Sequence, residues 1–97
     1  MKTLEKIKEI ISKNKKILEN RYKVKVMGIF GSYAKEASRK KSDIDILVEF
    51  SESPDFFEFI RLEGFLNKLL GIKIDLVTAG ALKPLIKNEI LRETIYI

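Results

Sequence analysis

The sequence predicts an α/β fold in which a small mixed sheet of about three strands packs with about four helices. Apolar residues recur at helical spacing, short β-prone runs lie between those segments, and the two kinds of element alternate along the chain. The pattern leaves open which strands run parallel. A chain of 97 residues has room for one hydrophobic core, so we expect residues 1–97 to form a single domain.

The first part of the chain predicts a helix, a strand and a short second helix. Apolar residues alternate with charged ones at helical spacing over about residues 2–20, which is typical of an amphipathic helix. The β-prone run 24–30 predicts a strand that ends at Gly31. Residues 33–37 have helical character, and the polar, basic residues 38–42 predict an exposed loop.

A second strand and a helix follow this loop. Residues 43–50 alternate at first and then become continuously apolar, as expected of a strand whose far end is buried on both faces. Ser53 is the expected cap of the next helix, with Pro54 at its first position. We expect this helix to end at Gly71, because a residue without a Cβ atom favours a left-handed cap.

The last part of the chain predicts a third strand over residues 72–77, a turn at 78–80, and a final helix that begins at Pro84. The apolar residues of this helix could pack on the sheet or on a partner. They are Leu85, Ile86, Ile90, Leu91 and Ile95.

Composition excludes several chemistries. The chain has no cysteine and no histidine, which rules out a disulfide, a thiolate nucleophile, an imidazole base and an ordinary zinc site. Any metal must therefore be held by oxygen ligands, which favour magnesium or manganese. The net charge of +5 is compatible with an anionic ligand, although charge alone favours a solvated surface rich in lysine and glutamate.

No apolar run is long enough to span a bilayer, and the N-terminus lacks the continuous apolar stretch of a signal peptide. We therefore expect no membrane association and a cytoplasmic location.

The aspartates are the candidate chemical groups. Asp43 and Asp45 lie two apart at the start of a strand, so their carboxylates share one face, with Cα atoms about 6.5 Å apart. From that separation two carboxylates can converge on one or two cations. Asp75 lies within the apolar third strand and could complete the site from a neighbouring strand.

A turn that suits phosphate precedes these acids. Gly31-Ser32 closes the first strand just before a helix, where backbone amides and the helix dipole favour an anion. A phosphate-binding turn together with three acids indicates phosphoryl or nucleotidyl transfer.

Each feature alone has a simpler interpretation. Asp43 and Asp45 could belong to a solvated turn, Gly31-Ser32 could be ordinary turn chemistry, and Asp75 could pair with Lys73 on the sheet surface. The functional interpretation rests on finding all of them in one consistent order.

In these residues the chain resembles the minimal nucleotidyltransferases of the DNA polymerase beta superfamily, whose signature is G-S-x10-D-x-D followed by an acid on a later strand. The signature is present from Gly31-Ser32 to Asp43 and Asp45, and the segment 73–77 resembles the strand that carries the third acid. Residues 82–93 also resemble the C-terminal helix of that family, so the resemblance covers nearly the whole chain. It implies a polymerase-beta-like nucleotidyltransferase fold.

The resemblance also implies site residues and cofactors. Asp43, Asp45 and Asp75 would be both catalytic and metal-binding, and would hold two magnesium ions, or manganese in their place. ATP would be the substrate, with its phosphates over Gly31 and Ser32. Where the family often has Ala-Arg-Gly, this chain has Ala-Lys-Glu at 34–36, so that Lys35 keeps the positive charge for the nucleotide but loses the bidentate fork of arginine.

The minimal family is similar to the antitoxin half of toxin–antitoxin modules, in which it transfers AMP to a tyrosine of a HEPN ribonuclease toxin. That resemblance implies a protein adenylyltransferase with a HEPN-type toxin as partner and acceptor. Two alternatives are a non-catalytic antitoxin that acts by binding alone and a nucleotidyltransferase that acts on RNA or a small molecule. Nucleic acid is the less favoured partner, with the first helix and residues 39–41 as its basic contacts.

Overall fold

The structure is a computed structural model that describes residues 3–31 and 43–97. A mixed four-stranded sheet has the strand order β3-β2-β1-β4. The strands are β1 Val24–Phe30, β2 Ile44–Phe50, β3 Ile74–Thr78 and β4 Ile95–Tyr96. The helices are α1 Leu4–Lys13, α2 Lys15–Asn20, α3 Phe56–Leu70 and α4 Pro84–Glu93, with a 3₁₀ turn at Ala79–Ala81. The helix expected at 33–37 and the loop expected at 38–42 lie outside the described residues.

The structure defines the strand directions that the sequence left open. Strand β2 runs antiparallel to β1 and parallel to β3. The α/β prediction is confirmed, but the sheet has one strand more than expected. The extra strand is β4, which pairs antiparallel with β1 and contains Ile95, a residue expected in the last helix. Helix α4 instead ends at Glu93, and Thr94 has an extended backbone.

The long first helix is interrupted at Asn14. Its side-chain amide donates to the carbonyl of Ile10 at 2.8 Å, and its backbone N–H donates to the carbonyl of Ile11 at 3.0 Å. These bonds tighten the end of α1, and α2 starts at the next residue. The prediction of one continuous helix over 2–20 was therefore wrong at this residue, although both pieces are helical.

The cap of helix α3 lies two residues after Ser53, the residue expected in that role. Asp55 is the cap, and its side chain accepts from the backbone N–H of Glu58 at 2.8 Å. The Glu58 carboxylate accepts in return from the N–H of Asp55 at 2.9 Å, which completes a capping box. The predicted end is confirmed, because Gly71 has the left-handed φ of 66°.

The main core lies on one face of the sheet. Its largest buried side chains come from α1, α2 and α3 and from alternate positions of the strands; they include Ile7, Leu18, Ile29, Ile44, Ile46, Leu62 and Leu66. In β2 the isoleucines on either side of Asp45 belong to this core, so Asp45 lies on the opposite face. Helices α1, α2 and α3 therefore pack on the face opposite Asp45. On the face of Asp45, the side chain of Leu47 is also fully buried.

Helix α4 contributes little to this core. None of its side chains is buried, and Leu85 and Ile86 are 98% and 44% exposed. The sequence allowed the apolar residues of this helix to pack on the sheet or on a partner. Leu85 does not pack on the sheet. No helix among the described residues is long and apolar enough to cross a bilayer.

Gly28 allows β4 to pack against β1, and we expect Gly28→Ala to destabilise the protein. A Cβ atom at this position would overlap Thr94 Cγ2 and would lie 3.1 Å from the Ile95 carbonyl oxygen. The expected loss is about 1–3 kcal/mol, the usual range for overpacking. Chemical denaturation of the wild type and the variant measures it.

Thr94→Ser provides the matched control, because serine lacks the overlapping Cγ2 atom and keeps the hydroxyl that donates to the Ile90 carbonyl at 2.7 Å. The combined variant should recover part of the lost stability. Equal stability of Gly28→Ala and the wild type would contradict this description of the β1–β4 contact.

Candidate active site

Two of the three predicted aspartates are direct neighbours across the sheet. In the parallel β2–β3 ladder, Asp45 is the register partner of Asp75. Because register partners present their side chains to the same face, both carboxylates lie on the face opposite the helical core. Asp43 precedes the first residue of β2 and is two positions from Asp45, which places it on the same side.

The three carboxylates differ in exposure. Asp45 is half-buried, whereas Asp43 and Asp75 are exposed. The sequence places Asp75 within an apolar run, where an acid is costly to bury unless it is paired or metal-bound. Asp75 is exposed because its neighbours Ile74 and Leu76 alternate with it and take the core face. Its carboxylate is therefore accessible to solvent.

Asp45 is the aspartate of the site whose pKa is raised. Burial raises the pKa of this carboxyl above its usual range, and the negative charges of Asp75 and Asp43 raise it further. Among the described residues, no cation lies close enough to lower the pKa of Asp45. The carboxylates therefore repel one another in the metal-free protein.

The ion pair between Asp75 and Lys73 is not formed. The salt bridges among the described residues join Glu9 to Lys6 at 3.1 Å and to Lys13 at 3.5 Å. Lys73 contributes through its backbone instead, since its carbonyl accepts from the N–H of Ile44 at 3.1 Å. The surface-pair alternative for Asp75 is therefore not supported.

Gly31 fits closely against Asp45. Its φ of 74° lies in the left-handed region that favours glycine, and a Cβ atom here would overlap Asp45 Oδ2. The contact arises because Phe30, the last residue of β1, is the register partner of Asp45. The turn after β1 and the carboxylate of β2 thus occupy one small region, where only glycine is accommodated without strain.

Two predicted nucleotide-binding residues, Ser32 and Lys35, lie outside the described residues. Within residues 3–31 and 43–97, no three acidic side chains are gathered closely enough to form a complete protein-built metal cage. Magnesium does not require such a cage, because it is commonly bound by one or two carboxylates, with water and substrate phosphates as the other ligands. The described carboxylates match that open arrangement.

The mixed sheet and the acids at the start of adjoining strands define the class of the protein: an α/β domain of the nucleotidyl-transfer type. Comparison with known families agrees, since residues 4–97 match the model of the nucleotidyltransferase domain. The chain belongs to this family and is by that membership a transferase.

Two curated relatives are matched along essentially their whole length. A candidate protein adenylyltransferase of Methanocaldococcus jannaschii is 56% identical over 98 residues, with 100% of both chains covered. The protein adenylyltransferase MntA of Thermococcus cleftensis is 44% identical over 97 residues, with 100% of this chain and 98% of that protein covered.

Solved structures share the fold. A candidate minimal nucleotidyltransferase is similar with a TM-score of 0.74, 31% identity, and coverage of 92% of this chain and 93% of that chain. A toxin–antitoxin structure with AMP-PNP has a TM-score of 0.71 and 24% identity, with 88% and 69% covered. A complex of a tri-AMPylated Shewanella oneidensis HEPN toxin with an MNT antitoxin has a TM-score of 0.65 and 22% identity, with 93% and 70% covered. At these last two identities the likeness concerns the fold alone.

We expect Asp45→Asn to raise the thermal stability of the metal-free protein at neutral pH. A carboxyl whose pKa is raised by folding destabilises the folded state when it is ionised, and the amide removes that charge. The gain should disappear as the pH falls below about 3.9, the usual pKa of aspartate, because both forms are then neutral.

Thermal melts in EDTA at pH 7 and pH 3 measure this difference. Glu49→Gln is the control, since Glu49 is an exposed carboxylate of the same strand and should change stability little at either pH. A lower melting temperature for Asp45→Asn at pH 7 would contradict the repulsion described here.

Proposed function

We propose that this protein is a metal-dependent protein adenylyltransferase that transfers AMP from ATP to a tyrosine of a cognate HEPN ribonuclease toxin and thereby neutralises it. Family membership supports the transferase chemistry. The names of relatives matched over their whole length support a protein acceptor. The toxin–antitoxin folds, one with AMP-PNP and one with an AMPylated HEPN toxin, support the partner and the nucleotide. A single-domain organisation over 1–97 and a cytoplasmic location are parts of the same proposal.

The register of Asp45 with Asp75, beside the glycine turn, is the observation that carries this proposal. It joins two carboxylates on neighbouring strands to a turn whose backbone a phosphate can approach closely.

The carboxylates fit hard divalent cations. Burial raises the pKa of Asp45, and the charges of Asp75 and Asp43 raise it further. A cation would convert the repulsion between the carboxylates into attraction. We propose that Asp43, Asp45 and Asp75 would hold two magnesium ions, or manganese in their place. When bound, such ions neutralise phosphate charge and make the acceptor hydroxyl more acidic.

The residues of the chain would bind and orient ATP and would deprotonate the acceptor tyrosine. The ATP phosphates lie over Gly31 and Ser32, and Lys35 supplies a further positive charge. Asp75 is placed to accept the phenolic proton as the tyrosine oxygen attacks the α-phosphorus. The new bond joins that oxygen to phosphorus, the bond from the α-phosphorus to the bridging oxygen breaks, and pyrophosphate leaves.

A protein acceptor needs a surface on which to dock. The side chains of Leu85 and Ile86 in α4 are exposed and apolar, and interfaces are often centred on such side chains. We include them in the proposal as contacts with the acceptor protein.

We expect Asp43→Asn and Asp45→Asn to reduce AMP transfer by a factor of at least about 100 while the fold remains intact. Cation-assisted charge stabilisation is worth several kcal/mol in such reactions, and each 1.4 kcal/mol is about tenfold in rate. Mass spectrometry of the proposed HEPN toxin partner, after incubation with this protein, ATP and magnesium, measures the transfer. Circular dichroism checks the fold.

Glu49→Gln is again the matched control, because it removes one carboxylate from the same strand without touching the site, and it should transfer AMP at the parental rate. Parental rates for the two aspartate variants would sink the metal assignment. Toxin neutralisation without any AMP transfer would favour an antitoxin that acts by binding alone.

We expect Asp75→Asn to lower the rate of transfer more than the affinity for ATP, because Asp75 serves the attacking hydroxyl while the nucleotide is held mainly elsewhere. The same variant should lose part of the stabilisation that magnesium gives the wild type in a thermal melt. Single-turnover assays and melts with and without magnesium measure the two effects. An unchanged rate together with an unchanged magnesium response would remove Asp75 from the site.

A further inference from the structure

A cavity of about 300 Å³ lies at the end of the sheet opposite the carboxylates. The α2–β1 connection, the β2–α3 connection and the first turns of α3 form it, and its lining includes Arg21, Lys23, Pro54 and Arg61. Because β2 begins beside Asp45 and ends beside this cavity, the strand separates the two regions by about 20 Å. The cavity is therefore distinct from the candidate active site.

Cations outnumber carboxylates in the lining of the cavity. Arg21, Lys23 and Arg61 face the cavity with two carboxylates, Glu52 and Glu58. Glu58 is already engaged in the capping box of α3. No salt bridge joins Glu52 or Glu58 to any of these three cations, and the lining keeps an excess of positive charge. The cavity is prepared for an anionic ligand.

Aromatic packing orients one of these cations. The Arg21 guanidinium lies over the Tyr22 ring, 5.8 Å from its centroid. Tyr22 is itself stacked against Phe65, with ring centroids 5.1 Å apart and an interplanar angle of 30°. A guanidinium supported in this way loses less freedom when it binds a phosphate.

A strained backbone residue lies at the same place. Lys23 has a φ of 59°, which L residues other than glycine rarely adopt. Its carbonyl accepts from the Ser51 backbone N–H at 2.8 Å and from the Ser51 hydroxyl at 3.2 Å. Strain held in place by such bonds tends to occur at binding sites.

Two exposed aromatic rings lie at the start of α3, directly before the lining residue Glu58 in the sequence. Phe56 and Phe57 are 70% and 69% exposed, with ring centroids 5.9 Å apart. Phe57 is four residues before Arg61 in α3 and so lies on the same flank of the helix. Exposed rings beside unpaired cations are the combination that stacks nucleobases while holding their phosphates.

We propose that this cavity binds a nucleoside phosphate, with Arg21, Lys23 and Arg61 on the phosphate and the rings beside them under the base. The ligand is either a free nucleotide or one unit of a single-stranded RNA. This site is separate from the one at which ATP would react, and it does not depend on the proposed function.

Fluorescence anisotropy with a 3′-labelled, 5′-phosphorylated hexauridylate tests the proposal, in EDTA so that the carboxylate site contributes little. Arg21→Gln combined with Arg61→Gln should weaken binding by at least about tenfold, since charge-assisted hydrogen bonds to phosphate are lost. Phe57→Leu should weaken it by about fivefold or more through lost stacking. Thermal melts confirm that each variant folds.

The matched control combines Lys68→Gln with Arg92→Gln, which removes the same charge from exposed positions elsewhere. This control and Asp45→Asn should each change binding by less than about twofold. Unlabelled AMP as competitor distinguishes the sources: displacement by AMP as effective as by hexauridylate indicates a free nucleotide, and weaker displacement indicates RNA.

Several results would overturn the proposal. One is an equal loss of hexauridylate binding in the charge-matched control, and another is loss of binding in Asp45→Asn. A third is displacement of the probe by hexaglutamate as effectively as by unlabelled hexauridylate. The fourth is that the wild type binds neither hexauridylate nor AMP.

Discussion

The parallel pairing of β2 with β3 is the constraint on which the site depends. Asp45 and Asp75 are register partners, and each is flanked along its strand by residues of the main core. A shift of β3 by one residue would turn Asp75 into the core and an apolar neighbour out to water. Burial of the core residues of both strands therefore fixes the register, and the register brings the carboxylates together without any attraction between them. Their mutual repulsion is balanced by apolar packing on the other face.

The same division of faces explains why so small a domain can tolerate this repulsion. Helices α1, α2 and α3 cover one face of the sheet, where the capping box at Asp55 and the left-handed Gly71 define both ends of the longest helix. The opposite face carries the carboxylates of Asp45 and Asp75. There, close approach of backbone to side chain depends on glycine twice: Gly31 lies against Asp45, and Gly28 lies against the strand that contains Ile95.

Features that depend on local pattern could be predicted from the sequence, and features that depend on tertiary contacts could not. Strand β1, the end of α3 and the start of α4 are as predicted, because periodicity, Gly71 and Pro84 act locally. Strand β4 was missed, because two residues carry no periodic signal and their extended form depends on pairing with Gly28 and Ile29. The break at Asn14 was missed because a side-chain bond to the preceding turn interrupts an unbroken apolar pattern. The shared face of Asp43 and Asp45 follows from alternation alone, whereas the partnership of Asp45 with Asp75 required the strand order.

The basic cavity is another feature that could not be predicted from the sequence. Arg21 and Arg61 are forty residues apart, and in the sequence each is one cation among 19 lysines and arginines. They lie close together because β1 and β2 are antiparallel, so that β1 begins where β2 ends. This brings the α2–β1 connection, the β2–α3 connection and α3 to the same end of the sheet. One antiparallel strand pair thus carries carboxylates at one end and cations at the other. Among the described residues, no cation lies beside the carboxylates, and the cations of the cavity form no salt bridge. Each end of the strand pair is therefore suited to a ligand of opposite charge.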